Sequence, residues 1–268
     1  MSDQGVVPWL SVITVVKDDP TGFARTIASL REQDLTGVEF TVIDSSSEAT
    51  PVREQLDSLN FSTSCYQWIA PEGIYPAMNA GLKAATGQYV YYLNSGDTFT
   101  PNAVATLRST IGGRGPVWLL AQVTFVGDGG GEVTPPPIDY EAEKHAWFAR
   151  GRFPPHQGTV VRRDALTRVG GFDTNYRVAA DYAAFLTLSR LADPVECDYV
   201  IAEFREGGLS TTSWRVAIGE FHRARKAILQ PTGLGRSEEL AHTWVHFMRV
   251  GLYRVLVAPL RARLLGSS

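Results

Sequence analysis

The sequence predicts an α/β fold with a mostly parallel central sheet, flanking helices and a helical C-terminal tail. In the first hundred residues, β-branched apolar runs alternate with segments of helical periodicity, which is typical of parallel strands joined by right-handed crossovers. With 268 residues, 44% of them hydrophobic and 20% charged, the chain can bury one large core. We therefore expect one domain over residues 1–210, in halves of 1–100 and 101–210, and a tail over 211–268.

The first half alternates strands and helices in order. The expected strands are residues 9–16, 38–43, 63–69 and 89–93, and the expected helices are residues 20–30, 52–59 and 74–85. Polar residues directly follow three of these strands, namely Lys17 with Asp18, Asp44 with Ser45, and Asn94 to Asp97. Parallel strands end at one edge of a sheet, and open α/β sheets bind ligands there. The pattern predicts one polar site at that edge.

Turn residues divide the second half and the tail. We expect strands at residues 117–125, 158–162 and 194–203, and helices at residues 164–169, 179–191, 214–229 and 237–264. The glycines between Gly127 and Gly131 precede Val133 and favour a hairpin turn over a phosphate loop. Pro259 should kink or end the last helix.

The segment Asn94-Ser95-Gly96-Asp97 carries the strongest chemical signal. It ends an apolar strand abruptly, and Gly96 lets the backbone turn where a side chain would clash. A carboxylate held by such a turn suits a hard divalent cation that carries phosphate. The alternative is that Asp97 caps a helix starting near Pro101, or merely closes a turn.

Several function classes lack their sequence signals. No G-x-G-x-x-G follows the first strand and no G-x-x-x-x-G-K-[ST] occurs, which argues against a dinucleotide-binding dehydrogenase and a P-loop enzyme. The net charge of −3 gives no indication of nucleic acid binding. Cys65 and Cys197 fit small buried residues better than a disulfide or metal pair. Without a signal-peptide pattern or an apolar run of about 18 residues, we expect a cytoplasmic protein.

The tail is basic, unlike the rest of the chain. From Thr211 onward nine Lys/Arg stand against three Glu, a net charge of +6, whereas the whole chain carries −3. Its arginines, Arg225 and Arg249 among them, alternate with large apolar residues such as Trp244. That mixture favours contact with an anionic membrane, at the inner face of the cell membrane. The alternative is a helix that packs on the domain with a solvated basic face.

Five stretches together resemble the family 2 glycosyltransferases of GT-A fold, in particular the branch that builds bacterial polysaccharides and glycolipids. The stretches are residues 11–17, 42–47, 71–81 and 93–97, and the group 155–157, 170–173 and 180–182, with a weaker sixth at 204–210. They occur in the family's order, and they are specific only in combination. The tail lies outside the resemblance.

The resemblance implies a role for each matching residue. The residues that would bind a nucleotide-sugar donor are Thr14, Val15, Asp44, Gly73, Asn79, Asn94, Ser95 and Asp97. Among them, Asp44 would accept hydrogen bonds from the base or ribose, and Asp97 would hold Mg²⁺ or Mn²⁺ against the diphosphate. Asp181 would be the general base. The loops that close over donor and acceptor would contribute His156, Arg205 and Ser210.

Three departures from the family pattern affect the donor site. Ser95 stands where the D-x-D motif has its first acid, so metal binding would depend on Asp97 and the donor phosphates. Pro76 and Ala80 replace polar residues that are common in this branch, which would alter donor choice. Glu48 and Ala49 stand where D-G often follows the second strand.

The implied reaction is an inverting, metal-dependent sugar transfer to a glycan, a lipid-linked acceptor or another hydrophobic molecule. From the residues alone, Asp181 could instead cap a helix, and His156 could simply fix the Pro154-Pro155 turn. A sugar nucleotidyltransferase and a non-catalytic nucleotide-sugar-binding protein are the alternative functions. Against the first, the segment 17–20 lacks the Gly-rich loop of nucleotidyltransferases.

Overall fold

A computed structural model describes most of the chain and confirms the α/β class. The described residues are 7–48, 50–58, 62–127, 130–137, 139–142, 144, 154–205 and 213–252. The strands are β1 (Leu10–Val16), β2 (Val38–Asp44), β3 (Cys65–Trp68), β4 (Tyr89–Tyr92), β5 (Thr98–Phe99), β6 (Trp118–Val126), β7 (Glu132–Val133), β8 (Thr159–Arg162) and β9 (Val195–Arg205). The helices are α1 (Pro20–Arg31), α2 (Thr50–Ser58), α3 (Ile74–Ala84), α4 (Ala103–Gly112), α5 (Arg163–Arg168), α6 (Ala180–Leu188), α7 (Trp214–Leu229) and α8 (Leu234–Leu252). A 3₁₀ turn covers His156–Gly158.

The strands of the described residues form one sheet in the order β3-β2-β1-β4-β8-β6-β9-β5, with β7 paired to β6. Strands β3, β2, β1 and β4 are mutually parallel, as the alternating pattern predicts. Strand β8 runs antiparallel to both β4 and β6, and β9 is parallel to β6. The sheet therefore has a parallel first half, which gathers its strand ends at one edge, and a mixed second half.

Two apolar clusters cover the two faces of the sheet. Adjacent residues of β1 contribute to opposite clusters, with Val12 in one and Ile13 in the other, because successive strand side chains point to opposite faces. All of β1 is buried, which explains its nearly continuous apolar sequence. Cys65 and Cys197 are both free, as expected, although only Cys197 is fully buried.

Two local predictions have opposite outcomes. Strands β6 and β7 pair as an antiparallel hairpin, at whose end Gly127 N–H donates to the Gly131 carbonyl at 2.9 Å. By contrast, Asp97 does not cap the following helix. That helix, α4, starts at Ala103, and its N-cap is Asn102 in a left-handed conformation.

The tail packs on the domain through α7. The rings of Tyr182 in α6 and Phe221 in α7 lie 4.7 Å apart, centroid to centroid. Arg225, only 1% exposed, donates from Nε to Glu239 Oε1 at 2.8 Å, and from its guanidinium to Tyr182 Oη and Thr243 Oγ1. The expectation that Arg225 belongs to a membrane-facing basic set is therefore wrong, since this cation is buried and paired inside the helix pair. No described helix is long and apolar enough to cross a membrane.

A buried carboxylate links the amino-terminal ends of the parallel strands, opposite the polar site. Glu39 in β2 accepts hydrogen bonds from Ser11 Oγ, from Thr86 N–H and Oγ1, and from Gly87 N–H. Burial raises the pKa of Glu39, but these hydrogen bonds outweigh burial and leave the pKa below its usual value. A depressed carboxyl pKa adds stability that is complete above the unfolded-state value, about 4.3, and is lost as the pH falls through the folded-state value.

Glu39→Gln should therefore destabilise the protein at neutral pH and have less effect in acid. Because hydrogen bonds to a charged group are lost, we expect a cost of about 2 kcal/mol, or a melting temperature lower by about 4–8 °C at pH 7. Thermal unfolding at pH 7 and below pH 4 checks this, with exposed Glu32→Gln as the control. A difference between wild type and Glu39→Gln that stays constant with pH would contradict the ionic origin.

Candidate active site

The polar strand ends meet at one edge, as predicted. Asp18, after β1, donates its N–H to Ser46 Oγ at 2.9 Å and accepts from Ser47 N–H at 2.8 Å, so the ends of β1 and β2 are tied together. Ser95, after β4, donates its N–H to the Val15 carbonyl at 3.0 Å. The site is therefore built on backbone that the parallel sheet holds in register.

Asp44 lies at the end of β2 beside two aromatic side chains. Its carboxylate accepts from Ser46 N–H at 2.9 Å and from Tyr66 Oη at 2.8 Å. Trp68, at the end of the neighbouring β3, donates Nε1–H to the Ser46 carbonyl at 3.0 Å and remains 45% exposed. No sequence pattern points to Trp68, because no polar residue marks the end of β3.

Three of the predicted donor residues are engaged inside the fold. Thr14, fully buried, donates Oγ1–H to the Leu93 carbonyl at 2.7 Å, and Val15 lies in the apolar core. Asn79 donates to the Phe172 carbonyl at 2.7 Å and accepts from the Phe172 N–H at 2.9 Å. These side chains therefore support the site structurally: Thr14 links β1 to the end of β4, and Asn79 links α3 to the loop that precedes α6.

Gly73 immediately precedes α3 and is its N-cap. Its φ of +126° is a backbone conformation that side chains rarely allow, so glycine is required there. The residue therefore fixes how the chain enters α3 beside the sheet edge.

The Asn94–Asp97 turn is close to a second carboxylate. The turn is closed by Asp97 N–H donating to the Asn94 carbonyl at 3.0 Å, with Gly96 at a φ of +95°. Ser95 donates Oγ–H to Asp19 Oδ2 at 3.0 Å, while Asp19 also caps α1 by accepting from Gly22 N–H. A carboxylate therefore lies next to Ser95 although the D-x-D motif lacks its first acid.

Asp97 is 4% exposed and lies against the 3₁₀ turn. Its Oδ2 accepts from Gln157 Nε2 at 3.2 Å. Burial raises the pKa of Asp97 to about 7, although His156, the Gln157 amide and the backbone N–H of Arg205 oppose the shift. Arg205, the last described residue of β9, thus contacts Asp97 through its main chain.

Asp181 lies in the first turn of α6, whose N-cap is Ala179, so the alternative that Asp181 caps this helix is wrong. Its Oδ1 accepts from Tyr182 N–H at 2.8 Å and from Tyr75 Oη at 3.1 Å. Its Oδ2 lies 3.5 Å from His156 Nδ1. One carboxylate oxygen is therefore held by two donors, and the other faces the site.

His156 and Gln157 connect the two carboxylates. His156 Nε2 lies 3.0 Å from Asn94 Nδ2, and Nδ1, on the other side of the ring, lies 3.5 Å from Asp181 Oδ2. The next residue, Gln157, contacts Asp97. Consecutive residues of one turn thus contact both acids. Sequence reasoning singled out His156 but missed Gln157 and Tyr75, although both lie within the stretches that it matched; Ser210 lies outside the described residues.

The oxygen atoms around the turn fit part of a divalent cation site. Among the described residues, no three His, Cys, Asp or Glu side chains are grouped to hold a metal ion. However, Asn94 Oδ1, in the same turn as Asp97, is buried and has no hydrogen-bond partner among the residues that the structure describes. Carboxylate and amide oxygens are ligands of hard divalent cations, and Mg²⁺ usually keeps waters and substrate phosphates as further ligands. The residues present fit such a shared site rather than an all-protein cage.

Comparisons with known proteins agree on one family. The model of glycosyl transferase family 2 matches residues 11–170. The uncharacterized glycosyltransferase Rv1514c of Mycobacterium tuberculosis is 30% identical over 209 residues, covering 76% of this chain and 78% of that protein.

Solved structures share the fold at low sequence identity. S. aureus TarS 1–349 in complex with UDP-GlcNAc superposes with a TM-score of 0.68 at 15% identity, covering 95% of this chain and 77% of that one. The mannosyltransferase PcManGT from Pyrobaculum calidifontis, in complex with GDP-Man and Mn²⁺, gives a TM-score of 0.63 at 14% identity, covering 97% and 79%.

Proposed function

The chain belongs to glycosyltransferase family 2, and we propose that it moves a sugar from a nucleoside-diphosphate sugar to an acceptor hydroxyl, with inversion at the anomeric carbon. The observation that carries this proposal is the placement of Asp97 and Asp181 against consecutive residues of one 3₁₀ turn. Transfer needs stabilisation of the leaving diphosphate on one side and a base for the acceptor on the other. Two acids beside one turn suit those two tasks.

Trp68, next to the buried Asp44, supports a nucleotide at the β2–β3 end of the sheet. The exposed indole offers an apolar surface for a ring, and the Asp44 carboxylate, 0% exposed, would accept from a base or ribose once Tyr66 Oη gives up its contact with Oδ2. Solved neighbours with this fold hold UDP-GlcNAc or GDP-Man, so uridine and guanosine diphosphates are the first donors to test. The donor diphosphate would then extend from Asp44 towards the Asn94–Asp97 turn.

We propose that Asp97 and Asn94 Oδ1 hold Mg²⁺ or Mn²⁺. Such an ion would stabilise the negative charge that develops on the departing diphosphate. Gln157 donates to Asp97 Oδ2 and holds the carboxylate that would bind the ion. Ser95 and Asp19 stay linked to each other and hold the other side of the turn.

Asp181 would act as the general base through Oδ2. Its Oδ1 accepts from the Tyr182 N–H and lies 3.1 Å from Tyr75 Oη, a hydroxyl that also donates to the Val178 carbonyl at 2.7 Å, and these contacts orient the carboxylate. Within the described residues Oδ2 has only the longer contact with His156, so it is the oxygen able to take the acceptor proton. Inversion needs one such base and no covalent intermediate. The acceptor would be a glycan, a lipid-linked molecule or another hydrophobic molecule at the inner face of a cell membrane.

Thermal stability with added ligands tests the donor site. We expect one of UDP, GDP and dTDP to stabilise the protein with Mn²⁺ but not with EDTA. At a concentration of ~100 times its dissociation constant, a ligand adds about 2.7 kcal/mol, which raises the melting temperature by about 5–10 °C. The nucleoside monophosphate with Mn²⁺ is the matched control, because it lacks the second phosphate. Equal stabilisation with and without metal would count against the shared cation site, and no stabilisation by any diphosphate would count against the donor site.

A further inference from the structure

Helix α8 has its apolar side outward. The large apolar side chains exposed on it are Leu234, Leu240, Trp244, Val245, Phe247, Met248 and Leu252, which together we call the α8 face. At about 100° per residue they fall within an arc of about 160°, nearly half of the helix surface. Surface helices of soluble domains normally present their polar side to water, so this orientation is reversed.

The inward side of α8 is polar and fixes the orientation. Glu239, 9% exposed, forms the buried ion pair with Arg225 and also contacts His222 Nδ1 at 2.9 Å. Thr243 accepts from the same guanidinium at 2.8 Å. Rotating α8 to bury its apolar side would break this ion pair and leave a buried cation alone, which is strongly unfavourable. The buried ion pair therefore holds α8 in the orientation that exposes its apolar arc.

Cations border the α8 face on two sides. Arg249, exposed, lies just beyond the apolar arc, on the same side of the helix as the exposed Glu238 three turns earlier. On the other border the Arg215 guanidinium lies 5.0 Å from the ring centroid of Trp214, and Trp214 contacts the Phe247 ring at 5.3 Å. The sequence that follows, residues 253–268, adds three arginines and no acidic residue. An apolar surface with exposed Trp and a basic border is the composition of a helix that lies in a lipid interface.

The charges decide between the occupants that an apolar face can have. A second copy of this chain would bring Arg215, Arg249 and Glu238 against the same three residues and so offers no net anionic surface, and residues 253–268 carry the same sign as the two arginines. An anionic lipid surface has the opposite charge and buries the apolar arc. We propose that the α8 face docks on an anionic bilayer with Trp244 inserted at the headgroup level. Since α7 joins α8 to the helix that carries Asp181, docking would hold the active site beside the membrane.

Vesicle flotation of the full chain tests this proposal without donor or acceptor, so its outcome is independent of the proposed sugar transfer. Wild type should float with vesicles of phosphatidylcholine and phosphatidylglycerol, and much less with phosphatidylcholine alone. Leu240→Ser/Val245→Ser should weaken binding by about tenfold or more. Val133→Ser/Leu191→Ser removes an equally exposed Leu and Val elsewhere and should bind as wild type.

Two further variants separate the contribution of the arginine charges from that of Trp244 insertion. Arg215→Gln/Arg249→Gln should weaken binding by about fivefold per arginine, and added salt should do the same to wild type. Trp244→Phe should remove most of the blue shift in tryptophan emission that vesicles cause. Absence of flotation would overturn the proposal, as would equal binding by Leu240→Ser/Val245→Ser. If wild type were a dimer and Leu240→Ser/Val245→Ser a monomer, the α8 face would instead bind a second copy. If Leu240→Ser/Val245→Ser melted at a much lower temperature than wild type, the face would instead be covered by residues 253–268.

Discussion

Asp181→Asn should lower kcat by about 10²–10⁴-fold, the usual contribution of a positioned general base. An amide of the same shape can keep the contacts of Oδ1 with Tyr75 and the Tyr182 N–H, but it cannot take a proton from the acceptor hydroxyl. In the proposed site, other residues bind the donor. Donor KM and the stabilisation by diphosphate with metal should therefore stay close to wild type.

Steady-state kinetics of sugar transfer, with product stereochemistry, measure this prediction. Asp173→Asn is the matched control, because Asp173 is an exposed carboxylate of the loop just before α6 and accepts from Asn175 N–H. If Asp181→Asn turned over as fast as wild type while Asp97→Asn did not, the base would have to be another group. A retained anomeric configuration in the product would remove the argument for a single base.

The first half of the fold was predictable because its signals are local. Strands β1, β2 and β4 are largely apolar runs that end in polar residues, and the parallel strands then assemble in register. The meeting of Asp18, Asp44 and Asn94 at one edge followed from that topology alone. The mixed second half depends on long-range pairings, such as β8 between β4 and β6, which short-range patterns do not encode.

The site was predictable only in part, for a similar reason. Asp97 and Asp181 lie in recognisable stretches, whereas the Asp19 contact with Ser95 and the Gln157 contact with Asp97 join distant parts of the chain. The tail shows the same limit. Arg225 lies in a basic segment, and its sequence neighbours do not indicate that it is buried in an ion pair with Glu239.

Asp97→Asn should abolish metal-dependent binding of the donor and lower kcat/KM by about 10²–10³-fold, the loss typical of removing one group that stabilises charge on a leaving oxygen. The same substitution should stabilise the folded protein in the absence of ligand. A carboxylate that is 4% exposed and contacts a neutral amide, Gln157, is costly to bury, and a neutral side chain of the same size removes that cost.

We therefore expect Asp97→Asn to melt at or above the wild-type temperature in EDTA, and to gain nothing from the diphosphate with Mn²⁺ that stabilises wild type. Exposed Asp164→Asn is the control, since its carboxylate pairs with Arg162 at the surface and should leave the ligand response unchanged. Retention of the metal-dependent shift by Asp97→Asn would place the cation on other oxygens, with Asp19 the first to examine. A lower melting temperature would mean that Asp97 stabilises the fold. Stability lost together with activity would argue for a structural acid, and stability kept or gained while activity is lost would argue for a carboxylate retained for its ligand.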